Sequence, residues 1–218
     1  MSAKPCEDCR QFFAAPEDDK KFADLLEEHF PGCQCERYSV GEGSPGPIAD
    51  VEVLHRIIVS PRDYDPDSNT ILRAPFEKVF ANGLSVCRGF ASDADVTALV
   101  EEGLVHTASE PPKQVWAICE VVTSDIREMR GNDNERLFCV YDQTVSRTDT
   151  TKLSIPTHAS VFLRWPPKNT DNRKVLRKDF AGRLREKFIA KTLKVDGVRN
   201  GLFYALNDRA KAGEFRSD

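Results

Sequence analysis

From residue 51 the apolar positions alternate: Val51, Val53, His55, Ile57 and Val59 share one side of an extended chain, and Glu52, Leu54, Arg56 and Ile58 share the other. This period of two predicts a strand that ends at Ser60-Pro61. Further strands are predicted at 84–87 (LSVC), 115–122 (VWAICEVV), 137–141 (LFCVY) and 159–165 (ASVFLRW), each bounded by Gly, Pro, Asn or charged residues. The segment 115–122 is apolar almost throughout and is expected to lie centrally in the sheet.

Elsewhere the period lengthens to that of a helix. Phe22, Leu25, Leu26 and His29 recur at helical spacing between Pro16, with Glu17, Asp18 and Asp19 after it, and the stop Pro31-Gly32, so a helix is predicted over about 16–30. Ser92 followed by Asp95 resembles a capping box, and Val96, Leu99, Val100 and Leu104 form an apolar stripe, predicting a helix over about 93–103. After Pro166 and Pro167, the register Val175/Leu176, Phe180, Leu184 and Phe188 predicts a long amphipathic helix from about 172 to 193. Strands and helices in this order, with no regular βαβ alternation, imply an α+β fold with a mixed or antiparallel sheet. The expected organisation is a Cys-rich helical unit at 1–40, a Gly- and Pro-rich linker at 41–50, an α+β core at 51–166 and a basic helical extension at 167–218.

Charge divides the chain. Residues 1–163 carry 16 Lys and Arg against 28 Asp and Glu, a net of -12, and residues 164–218 carry 15 against 7, a net of +8. In the last helix Arg173, Lys174, Arg177, Lys178, Arg183, Arg185, Lys187 and Lys191 fall largely off the apolar stripe, with only Asp179 and Glu186 to offset them. Such a face suits phosphate neutralisation, so nucleic acid or an acidic protein is the expected partner, in an accessory interaction protein. A structural subunit that holds an assembly together is a further reading of the same tail. No apolar run approaches the roughly 20 residues that span a bilayer, and no secretory leader is legible, which points to the cytoplasm.

Seven cysteines is an odd number, and Cys87, Cys119 and Cys139 sit in apolar segments where a thiol packs as a small hydrophobe, so a reducing compartment is expected. Cys6, Cys9, Cys33 and Cys35 flank the first predicted helix as C-x-x-C and C-x-C. Four thiolates in a tetrahedron would hold a structural zinc there, although C-x-C is tighter than the usual finger spacing. His55 on an apolar face is expected to be a core histidine bonded to a backbone carbonyl, and Arg56 is expected to point toward Glu52. Cys87 precedes Arg88, whose charge favours a thiolate, and His158 is the natural base for a Cys/His hydrolase. No H-E-x-x-H, Walker loop, G-x-S-x-G or G-x-G-x-x-G occurs, which argues against the commonest zinc-protease, P-loop and α/β-hydrolase chemistries.

The succession VLHRIIV, APF, GLSV and PTHASV over about 51–163 resembles a loosely defined group of prokaryotic proteins of unassigned function. The resemblance carries Arg56, Phe76, Ser85 and His158. His55 stands where the group favours a first arginine, and ILRAPF where it favours serines. A fainter likeness is to ADP-ribosyltransferases, through Arg56 (or His55), Ser85 and Glu120 in that order. It implies NAD as substrate, with Arg56 on the pyrophosphate and Glu120 orienting the attacking group.

Overall fold

The computed structural model describes residues 6–14, 22–41, 43–105, 114–143, 155–164, 173–189 and 192–194. The fold is α+β. Its centre is a six-stranded antiparallel sheet in the order β6-β7-β4-β1-β5-β8, formed by β1 (Val53–Ser60), β4 (Leu84–Arg88), β5 (Gln114–Val122), β6 (Phe138–Tyr141), β7 (His158–Leu163) and β8 (Thr192–Lys194). A short hairpin, β2 (Tyr64–Asp65) with β3 (Thr70–Ile71), follows β1. Strand β1 takes the middle place between β4 and β5. The expected central segment, β5, lies next to the edge and is covered there by β8 at Ala117–Cys119.

Both faces of the sheet are covered, which is why β4, β6 and β7 read as apolar runs rather than clean alternations. On one face Leu54, Ile58, Leu84, Val86, Ala117, Cys119, Val121, Phe138, Val140, Ala159, Val161 and Leu163 form the main core. It is closed by the 3-10 segment Ala74–Phe80, by Ile126 of α4 (Thr123–Arg127) and by α5 (Arg173–Ile189). Phe180, Leu184 and Phe188 of α5 are buried there and Leu176 packs on the margin, so the four-residue stripe does what its spacing implies, whereas Val175 is exposed. Helix α5 is shorter than expected: it ends at Ile189, and Thr192–Lys194 turns to pair with β5.

The opposite face is shared. Val96 and Val100 of α3 (Asp93–Val105) cover Val59, Cys87, Val115 and Ile118. The capping box is present and reciprocal, with the Asp95 amide donating to Ser92 Oγ at 3.1 Å and the Ser92 amide to Asp95 Oδ2 at 3.4 Å. The β6–β7 side is covered by the N-terminal unit, α1 (Glu7–Ala14) and α2 (Phe22–His29). There Cys9, Phe22, Leu26, Cys33 and Cys35 pack with Cys139, Tyr141 and Phe162. Helix α1 had no sequence counterpart, and the expected start of the first helix at Pro16 lies outside the described residues.

The stretch 41–50 is more than a connector. Asp142 accepts the Val40 amide at 3.0 Å and the Ser44 hydroxyl at 2.5 Å, Arg88 donates to the Gly46 carbonyl at 2.5 Å, and Ile48 is buried in the main core. Gly83, at φ +87°, is required by close packing, because a Cβ there would stand 2.6 Å from the Phe162 ring. Among the described residues no helix is long and apolar enough to cross a membrane.

Candidate functional site

Antiparallel register builds one row of chemistry across four strands. His55 lies opposite Glu120 on β5 and opposite Cys87 on β4, and Cys87 lies opposite His158 on β7. Residues directly opposite project to the same face. Glu120, His55, Cys87 and His158 therefore line up on the face that α3 and the N-terminal unit share, with Ser85 two residues from Cys87 on the same side.

The tightest geometry belongs to Ser85 and His158. Ser85 Oγ lies 2.8 Å from His158 Nε2, and Nδ1 of the same ring meets the Gln143 carbonyl oxygen. A carbonyl can only accept, so Nδ1 carries the hydrogen and Nε2 presents a lone pair to the serine hydroxyl. His158 is buried while Ser85 is partly exposed, so the base sits behind the hydroxyl it would deprotonate. Burial pushes the His158 pKa down to about 4; the Gln143 bond opposes this and the Arg56 charge adds to it. The ring is neutral near pH 7.

His55 and Glu120 form the second pair, Nε2 to Oε1 at 3.0 Å, with side chains 15% and 28% exposed, so both remain within reach of solvent. His55 thus meets a carboxylate on the neighbouring strand, a partner its sequence context did not predict. With strands about 4.8 Å apart and about 3.4 Å per residue, its Cα lies on the order of 8 Å from that of Ser85, as a diagonal neighbour across the β1–β4 pair.

Arg56 departs from expectation. Its partner is Asp63, at 3.7 Å, and its Nη1 donates to the Ser85 carbonyl at 2.8 Å; Glu52 instead pairs with Arg88 at 2.5 Å. Burial lowers the Arg56 pKa, with Asp63 opposing that shift. Asp63 is fully buried, and although burial works to raise its pKa, Arg62, Arg56 and the Val59 amide together hold it below the usual carboxylate value. The bond from Arg56 to the Ser85 carbonyl fixes the backbone that carries the hydroxyl. The pyrophosphate role implied by the ADP-ribosyltransferase likeness finds a guanidinium that is enclosed, its side chain only 12% exposed. Arg56 also follows Leu54 and Ile58 onto the main-core face, opposite to Glu120, so the two do not line one cleft.

The four-cysteine site is corrected. Cys9 is joined to Cys35, with Cα atoms 5.8 Å apart, and Cys33 to Cys139, 5.5 Å apart. Cys6 remains a free thiol. The expectation of seven reduced cysteines fails for these four, and with it the argument for a reducing compartment, since disulfides persist where conditions are oxidising. Cys139, read as a small hydrophobe, anchors the N-terminal unit to β6. Cys33, Glu36 and Cys139 keep ligand atoms within 4.8 Å of one another, a spacing that could hold a metal ion only with the Cys33–Cys139 bridge reduced, because the thiolate is the metal ligand. Glu36, however, already accepts from Arg136 at 2.5 Å and from the Val140 amide.

The basic face of α5 is less free than its sequence implies. Arg177 lies 4.0 Å from Asp24 and over the Phe80 ring, Arg183 donates to the Arg130 carbonyl at 2.8 Å, and Arg185 to the Ile71 carbonyl at 3.4 Å. Lys178 and Lys187 are exposed. The side chains of Arg173 and Lys174, and Lys191 as a whole, lie outside the described residues.

Sequence reasoning named Ser85 and His158 separately, but only strand register could join them. The Gln143 carbonyl carries no sequence signal, and Asp63 was missed because nothing marks it as the partner of Arg56. No protein-family model matches the chain, and no curated protein or solved structure gives a match.

Proposed function

We propose that the protein is an enzyme of the serine-nucleophile type, a hydrolase acting on an ester or similarly activated acyl group, with Ser85 as nucleophile and His158 as base. The observation that carries this reading is the 2.8 Å contact from His158 Nε2 to Ser85 Oγ in a ring whose Nδ1 is held by the Gln143 carbonyl. Nucleophile, base and an orienting acceptor behind the base are the three roles that covalent acyl transfer needs. Ser85 Oγ attacks the acyl carbon, its proton passes to Nε2, and the leaving alkoxide departs with that proton. Water then attacks the acyl-serine, gives a proton to Nε2, and the returning proton restores Ser85. His55 and Glu120 lie on the same face of the neighbouring strands, partly exposed, where they can orient the incoming group.

This reading has more geometric support than a nucleic-acid surface on α5, because three of the arginines of that helix are spent on Asp24 and on backbone carbonyls. The test is reaction with a fluorophosphonate, followed by mass mapping, in wild type, Ser85→Ala and His158→Asn. The expected result is one adduct on Ser85, lost in the first variant and slowed at least 100-fold in the second. An unlabelled Ser85, with no ester hydrolysis above the Ser85→Ala background, overturns the proposal.

A further inference from the structure

The N-terminal unit holds a second chemistry that the serine site does not use. Its Cys9–Cys35 disulfide is closed to solvent, the two residues being 1% and 0% exposed. A thiol from solution therefore has no direct approach to either sulfur. Cys6 is different: it is a free thiol, partly exposed, packed against the same cluster as Cys9, Cys33 and Cys35. It stands at the start of α1, where its carbonyl accepts the Arg10 amide at 3.0 Å. Cys9 follows three residues later. Residues three apart on a helix share one face with Cα atoms about 5 Å apart, inside the range of about 4.4–6.8 Å that a disulfide requires, and a small turn of the helix end brings their Cβ atoms to bonding distance.

We infer that Cys6, Cys9 and Cys35 form a thiol–disulfide exchange site, with Cys6 as its port to solvent. The Cys6 thiolate attacks Sγ of Cys9. A Cys6–Cys9 bond forms, the Cys9–Cys35 bond breaks, and the electron pair leaves on Cys35 Sγ, which takes up the proton that Cys6 gave up. Nothing is oxidised or reduced overall in this step. It moves the disulfide from the closed interior to the exposed end of α1, where a small thiol of the glutathione class can attack Cys6. Two such thiols leave as their own disulfide, and Cys6 and Cys9 are left reduced. The second bridge, Cys33–Cys139, keeps the unit on β6 throughout. The inference is independent of the serine chemistry.

The test uses the full chain purified without reductant, exposed to graded reduced glutathione, quenched in acid, alkylated and mapped by mass spectrometry. In wild type a species with Cys6 linked to Cys9 and Cys35 alkylated appears before Cys33–Cys139 opens. In Cys6→Ser, which keeps both bridges and a good helix-capping side chain, Cys9–Cys35 opens at least 10-fold more slowly. Opening of Cys9–Cys35 at the wild-type rate in Cys6→Ser overturns the inference. So does the absence of any Cys6–Cys9 species, or protein that carries zinc on these thiolates in place of the bridge.

Discussion

Lowering the pH from 7 to 4.5 tests the burial of His158 directly. The ring is enclosed, and its pKa falls from the ordinary 6.5 to about 4, with burial as the main cause. Between those values the unfolded chain binds a proton that the folded chain refuses, so stability rises with pH across this window. The contribution is complete above about pH 6.5 and is lost as pH falls through about 4. At 1.36 kcal/mol per unit, the full span is worth about 3 kcal/mol, and roughly 2.5 kcal/mol is gone by pH 4.5. The ring is buried, so solvent screening does not reduce the effect. Urea unfolding of wild type and His158→Asn at half-unit steps from pH 7.5 to 4 isolates this residue, because every other ionisable group is common to both proteins. The two curves should converge by about 2.5 kcal/mol on acidification. Curves that stay parallel to within 0.5 kcal/mol, with a ring that titrates near 6.5 by proton resonance, would refute the reasoning.

The same ring sets the activity profile: if His158 is the base, acylation of Ser85 stays level from pH 8 to about 5 and is half-lost near 4, as followed by fluorophosphonate labelling. Cys139→Ala opens a bridge between residues 106 apart and should cost about 4 kcal/mol, with faster proteolysis in the first forty residues. Gly83→Ala drives a methyl into the Phe162 ring from a left-handed backbone and should cost at least about 2 kcal/mol by thermal unfolding. Arg185→Glu removes a bond to the Ile71 carbonyl and should destabilise by about 1–2 kcal/mol, whereas Lys178→Glu, on the exposed face, should leave the melting temperature unchanged.

The elements that sequence predicted well are those whose periodicity is local. β1, α3 and α5 each carry an apolar repeat that one neighbour satisfies, and the Ser92/Asp95 cap forms between residues three apart. What escaped was set by distant pairing. A three-residue strand such as β8 has no period of its own and exists because the edge of β5 needs a partner at Ala117–Cys119. Helix α1 is eight residues long, too short to stand without the Cys9 bridge and the aromatic contacts of Phe12 and Phe13. For the site, the residue types were visible and their neighbours were not. Ser85 and His158 are 73 positions apart, and only the Cys87 to His158 register makes them diagonal partners. The cysteine pairing misled because C-x-x-C and C-x-C invite a four-thiol set, while the actual partner of Cys33 waits in β6.

Asp142 and Gln143 are consecutive, and they face different tasks. The Asp142 carboxylate gathers the Val40 amide and the Ser44 hydroxyl, while the next carbonyl takes the imidazole hydrogen of His158. Burial raises the Asp142 pKa against those two bonds, so acid loosens its hold on Val40 and Ser44 sooner than an ordinary carboxylate would give way. The carboxylate that anchors Val40 and Ser44 and the carbonyl that selects the ring tautomer are thus on adjacent residues. Were that carbonyl to turn away, the hydrogen could move to Nε2, and the ring would face Ser85 as a donor instead of an acceptor. The anchor of the 40s segment and the acceptor that sets a histidine tautomer more than a hundred residues further along are in this way neighbours on one short stretch of backbone.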